Sequence, residues 1–161
     1  IQAPGEGRQV PLGEGGAVTL KVEGVHSGNR VTIYEYTAPP ATAGPPLHLH
    51  RSWDEAFYVL EGEMTFLLDG TVHIVPAGSC VFVPPGVLHK FWNATALPAR
   101  QLTFLTPAGI ENYFDAVTVV LHSENDAAVA EAVALLETFD TVVPDGDAVA
   151  YGALNASPTG D

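Results

Sequence analysis

Apolar and polar residues alternate along most of the first two thirds of the chain, and the period then changes once. The clearest run is 63–68, where Met64, Phe66 and Leu68 fall on one face and Glu63, Thr65 and Leu67 on the other, as in a half-buried strand. Asp69-Gly70 follows, the pair favoured in a two-residue type I′ turn, and 71–75 reads as the return strand with Val72 and Ile74 facing in. Upstream, 17–25 and 31–37 are β-rich runs separated by the turn formers His26-Ser27-Gly28-Asn29, which predicts a hairpin. Pro39, Pro40, Pro45 and Pro46 then end regular pairing. Further on, 80–83 and 89–92 flank the turn Pro84-Pro85-Gly86, and 100–106 is one more strand. After Gly109 the period approaches 3.6: 110–116 reads as a short helix, and Ser123 with Asp126 three positions later starts an alanine-rich helix running to about residue 139. The organisation expected is an irregular arm at 1–16, an all-β body at 17–109, helices at 110–139 and a surface tail at 140–161, with no internal repeat. The arm is expected to lie along that body or along a partner subunit.

Composition narrows the function classes. A chain of 161 residues buries roughly two thirds of its unfolded surface, so no metal is needed merely to hold a core together. The formal charge of -13 repels phosphate backbones and anionic bilayers alike, which argues against nucleic acid and membrane partners. No apolar stretch approaches the ~20 residues that span a bilayer, and residues 1–8 lack the basic and apolar regions of a signal peptide, so a soluble, cytoplasmic protein is expected. Cys80 is the only cysteine, which excludes an intramolecular disulfide and a thiolate cluster. Any metal site must use nitrogen and oxygen.

Candidate ligands of that kind are present. His48 and His50 are two apart, a spacing that on a strand points both imidazoles to one face. Glu55 lies five beyond His50, an odd step that needs an intervening turn, and Arg51-Ser52-Trp53-Asp54 supplies one. Glu55 then opens the next strand, with Phe57 and Val59 on its own inward face. His89 follows the rigid Pro84-Pro85-Gly86 turn. Three imidazoles and a carboxylate can thus meet from three strands.

Gly44, His48, His50, Glu55 and Gly62, followed by Gly78, Pro84, Gly86, His89 and Asn93, resemble the two motifs of the cupin superfamily. The second motif matches throughout. The first has three residues rather than five between Gly44 and His48, and the fifteen residues between Gly62 and Gly78 are similar to the short segment of compact bacterial members. The resemblance covers about 17–120 and implies a cupin jelly-roll, or double-stranded β-helix, barrel with a short C-terminal helical segment. It implies that His48, His50, Glu55 and His89 ligate one divalent transition metal ion per chain. Such a donor set suits Mn, Fe, Co, Ni, Cu or Zn, while calcium and magnesium are not expected.

The region 44–63 and the Thr106-Pro107-Ala108-Gly109 segment look like the single-domain cupins grouped with quercetin dioxygenases. That implies a metal-dependent dioxygenase taking O₂ and a phenolic or flavonol-like small molecule, with Glu55 as the base. A redox-neutral isomerase, epimerase or cyclase, and a non-catalytic small-molecule-binding barrel, remain the alternatives. Phe57 and Phe91 share faces with Glu55 and His89 and either line a pocket or pack the core. Trp53 and Arg51, beside the site, gate it or cover its rim. His26, His73 and His122 are not expected to touch the metal. Asn93-Ala94-Thr95 is formally a glycosylation sequon, but Asn93 is better explained as the last position of the second motif. Similar cupins are commonly dimers, so a homodimer is expected.

Overall fold

The computed structural model describes residues 1–12, 16–121 and 128–144. The order is β1 (Arg8–Pro11), β2 (Ala17–Val22), α1 (Gly24–Ser27), β3 (Thr32–Ala38), β4 (Leu49–His50), β5 (Asp54–Glu61), β6 (Glu63–Leu68) and β7 (Thr71–Pro76). β8 (Cys80–Val83), β9 (His89–Trp92), β10 (Ala99–Thr106), α2 (Ile110–Leu121), α3 (Ala128–Thr138) and β11 (Thr141–Val142) complete it.

Six strands form one sheet in the order β1-β2-β3-β10-β5-β8, and β7-β6-β9 and β11-β4 form the opposing layer. A bridge between His48 and His89 joins these last two pieces. The result is the jelly roll expected from the sequence. Its core is the side chains that the two layers point at each other: Phe57, Val59 and Leu105 from the larger sheet, Met64, Phe66 and Phe91 from the smaller. Rings interlock there, with Phe57 centred 5.0 Å from Phe66 and 5.3 Å from Phe91, both edge-on.

Several local expectations change in the folded chain. The 1–16 arm contributes β1, which extends the large sheet because Val10 and its neighbours alternate and find a free edge on β2. The strand expected at 17–25 ends at Val22, and one helical turn, α1, takes 24–27 before Gly28 ends it in the left-handed region. The first helix runs on to Leu121, and the Ser123–Asp126 cap lies outside the described residues. Of the 140–161 tail, Thr141 and Val143 are buried and β11 pairs with β4; residues 145–161 lie outside the described set.

The face of β7 is the reverse of the expected one. Val72 and Ile74 are 58% and 68% exposed, and it is His73 and Val75 that stand opposite Phe66 and Met64. The cause is the turn at Asp69-Gly70, both with positive φ, which pairs Leu68 with Thr71 and therefore Phe66 with His73. Directly paired residues share a face. His73 nonetheless remains exposed, since β7 is an edge strand.

Glu111 ties the helices to the barrel. In the first turn of α2, its carboxylate accepts from Gly24 N at 2.6 Å, Gly109 N at 3.1 Å and the Thr32 hydroxyl. Burial alone would raise its pKa, but these bonds, that from Thr32 first, outweigh burial and hold it below the usual carboxylate value. A depressed folded pKa contributes stability that is complete above the unfolded value of about 4.3 and is lost as pH falls through the folded value. Glu111→Gln is therefore expected to destabilise the fold by about 1–3 kcal/mol at neutral pH. Urea unfolding across pH checks this. The gap between the two proteins should narrow below about pH 4, and a gap independent of pH would refute the assignment.

Candidate metal centre

Three strand ends bring the four candidate residues together. β4 presents His50 and follows directly on His48; β5 presents Glu55 in its inward register; β9 begins at His89. The odd step from His50 to Glu55 is absorbed by a turn at 51–53, which the Asp140 carboxylate holds by accepting from Ser52 N at 2.9 Å and Trp53 N at 3.0 Å. His48 and His89 are locked by two reciprocal main-chain bonds, 3.0 and 2.8 Å. Close approach of 44–46 to β9 depends on Gly44, whose φ is +69° and where an added Cβ would sit 1.8 Å from Phe91 O. Gly44→Ala is accordingly expected to cost roughly 2 kcal/mol in unfolding free energy, through strain at positive φ and displacement of β9. An unchanged urea midpoint would contradict that packing.

All four candidate side chains are buried, and one ligand atom from each lies within 4.8 Å of the others. Among the described residues His48, His50, Glu55 and His89 are the one such group, and His26 and His73 stand apart from it; His122 lies outside the described set. His89 Nε2 is 3.1 Å and His50 Nε2 3.3 Å from Glu55 Oε2. Each ring turns its other nitrogen outward, to Pro46 O at 2.8 Å from His48, Thr141 Oγ1 at 3.1 Å from His50, and Val87 O at 2.9 Å from His89.

Electrostatics follow from this packing. Burial, reinforced by His89 and His50, pushes His48 down to about 3, so its ring is neutral in any physiological medium. Burial acts on Glu55 in the opposite sense, yet the imidazoles of His50 and then His89 beside it reverse it and keep the carboxylate ionised. His89 is lowered by burial and raised more by Glu55, ending above the ordinary histidine value. A buried carboxylate thus faces an inward ring of imidazole nitrogens. Two ligands each about 2.1 Å from one ion are at most roughly 4.2 Å apart, so any pair near the 4.8 Å bound must draw closer to share a cation. The donor set fits a borderline divalent transition ion.

A cavity of about 260 Å³ opens on the cluster. Its barrel side is Val18, Tyr34, Tyr36, Phe91, His48, His50 and Glu55; its far wall is Ile110, Tyr113, Phe114 and Val117 of α2 with Ala132, Val133 and Leu136 of α3. Phe91 is thus among the lining residues. Phe57 packs in the core beside it, and Trp53, 6% exposed, lies 5.2 Å ring to ring from His50 and outside the lining. Arg51 reaches the Thr141 carbonyl from the exposed rim. The six lysines and arginines of the chain fall at 8, 21, 30, 51, 90 and 100, and none lines the cavity.

Sequence reasoning missed Tyr34, Tyr36 and Thr141. The two tyrosines were visible as the inward row of 31–37, alternating with Ile33 and Glu35. The Tyr34 phenol is held well above its usual pKa by burial and then by the Glu55 charge. Asn93 is fully buried, donates to Ala38 O, Pro39 O and Leu97 O, and accepts from Thr95. It staples loops, and its amide is not presented as a glycosylation acceptor.

Barrel and cluster together define a β-barrel protein with a potential metal site at its centre. The chain matches the family model described as Cupin domain over residues 34–105. It is 42% identical over 50 residues to a protein named Oxidoreductase iacF from Pestalotiopsis fici, covering 30% of this chain and 24% of that one. Among solved structures it is similar to a sugar phosphate isomerase from Silicibacter pomeroyi, with TM-score 0.52 and 26% identity over 58% of this chain and 60% of that one. An RmlC-like cupin from Shewanella frigidimarina superposes with TM-score 0.58 at 20% identity, covering 70% of this chain and 94% of that one. The chain spans less than two thirds of the curated relatives it matches, 62% of one and 24% of the other. No helix among the described residues is long and apolar enough to cross a membrane.

Proposed function

We propose that this chain is a metal-dependent dioxygenase acting on an apolar, phenolic or flavonol-like small molecule, with His48, His50, Glu55 and His89 as the metal ligands. The observation that carries this reading is the cavity: it is lined by aromatic and aliphatic side chains, holds no cation of the protein, and meets the buried cluster at one end. A phosphorylated or polycarboxylate substrate would find no counter-charge there, whereas a ring bearing a hydroxyl finds Tyr34, Tyr36, Tyr113 and Phe114 along its walls. A bound divalent ion would supply Lewis acidity toward the substrate hydroxyl and a place for O₂. Glu55, a carboxylate lining the cavity, would accept the hydroxyl proton. The likeness to a protein named an oxidoreductase agrees with this direction.

A redox-neutral reaction on the same class of substrate is the second reading, favoured by the likeness to an isomerase; the cationless cavity speaks against a sugar phosphate for this chain. Oxygen uptake by the metal-loaded protein, screened with flavonols and catechols, separates the two. Uptake stoichiometric with substrate loss, abolished in Glu55→Gln, is expected. Turnover under strict anaerobiosis would overturn the dioxygenase assignment in favour of isomerisation or cyclisation. A homodimer and a cytoplasmic location belong to the same reading, and sedimentation at micromolar concentration tests the first.

A further inference from the structure

The outer supports of the three histidines differ in kind. His48 and His89 each turn Nδ1 to a main-chain carbonyl two residues back, Pro46 O and Val87 O. A carbonyl only accepts, so these two rings carry a proton on Nδ1 and direct Nε2 to the centre. His50 has a side chain in that place. Its Nδ1 is 3.1 Å from Thr141 Oγ1, contributed from 91 residues later. A hydroxyl either donates or accepts, and by itself would leave the ring undetermined. The Thr141 hydroxyl, however, donates to Phe139 O at 3.1 Å. Its single proton is spent there, and toward His50 it offers a lone pair.

We propose that Thr141 is a positioning residue of the metal centre: its hydroxyl, fixed by the Phe139 carbonyl, keeps the His50 proton on Nδ1 and leaves Nε2 free for a divalent ion. This inference rests on the metal-centre reading above. The geometry around it is well braced. Thr141 stands directly opposite His50 in the β11–β4 pair, Arg51 N donates to Asp140 O at 2.9 Å, and Asp140 also clamps the 51–53 turn. Thr141 is 0% exposed, so water does not compete for Nδ1. It also lies outside the 34–105 segment matched to the family, so the helical appendage of this chain, rather than the barrel, supplies the support. Without that acceptor the ring is free to take the other tautomer and donate from Nε2 to Glu55 Oε2, 3.3 Å away, and a protonated Nε2 cannot ligate.

The test is a titration of metal-free wild type, Thr141→Ser and Thr141→Val with Co²⁺, reading affinity by calorimetry and coordination by the visible d–d spectrum. Thermal unfolding of the three metal-free proteins reports on packing separately. Thr141→Val is expected to bind Co²⁺ about 10–100-fold more weakly with an altered spectrum, and Thr141→Ser, which restores the hydroxyl, to bind close to wild type. If Thr141→Val fails to fold, Thr141→Cys replaces it, since a thiol is a poor acceptor of similar size, and the same loss is expected. Wild-type affinity and spectrum in the valine or cysteine variant would overturn the inference, as would an equal loss in serine, which would mark a packing role. If wild type itself takes up no ion, the metal-centre reading fails first, and that failure is recognisable before any variant is compared.

Discussion

Alanine at position 89 is expected to abolish tight metal binding and any activity that depends on it, while leaving the barrel folded. His89 Nε2 is 3.1 Å from Glu55 Oε2, and its ring packs 4.2 Å from that of His48 and 5.3 Å from that of His50. Removing it takes one of four donors from a buried site that offers no replacement among the described residues. The loss in affinity should exceed the 10–100-fold typical of losing an outer support alone, so more than about 100-fold. The fold survives because β9 is held by main-chain bonds that any residue can make, including the reciprocal pair with His48. Calorimetric titration alongside circular dichroism measures both. Unchanged metal content and activity in a folded His89→Ala protein would show that the cluster is not the metal centre.

Phe57→Ala is expected to carry the largest stability cost, about 3–5 kcal/mol, with a fall in Tm of roughly 10 °C. The ring is 0% exposed and stands at the junction of the two layers, in edge contact with Phe66, Phe91 and His89. Small neighbours could collapse into the space, but these are rigid rings on hydrogen-bonded strands, so most of the cavity should persist. Urea unfolding should show a lower midpoint at unchanged slope. A loss under about 1 kcal/mol would mean that Phe57 faces a ligand cavity rather than a packed core.

The parts of this architecture legible in the sequence are those specified by short-range rules. Alternation marks β6, the paired positive-φ residues mark its turn, and the spacing of His48, His50 and Glu55 around a required bend predicts a convergence that the structure displays. The inverted face of β7 was also within reach. Its own apolar residues, Val72 and Ile74, point the wrong way, but a two-residue turn after Leu68 forces His73 opposite the buried Phe66. Register outranks local hydropathy there because β7 is an edge strand with little to bury. Thr141 was not legible in this way. It reaches His50 only after α3 has lined the far wall of the cavity and Asp140, at φ +62°, has turned the chain back toward β4. Contacts across 91 residues leave no periodic trace. The same holds for the α2–α3 wall, whose alanine- and valine-rich faces read as ordinary helix.

Everything functional depends on His48, His50, Glu55 and His89 binding a cation together. The most direct measurement is metal uptake by the wild-type chain, stripped with chelator and then titrated with Mn, Fe, Co, Ni, Cu and Zn salts, with stoichiometry read by elemental analysis. Saturable uptake of one ion per chain, absent from both Glu55→Ala and His89→Ala, is the predicted result. A folded wild type that takes up none of these ions, or variants that take them up as well as it does, would contradict the account.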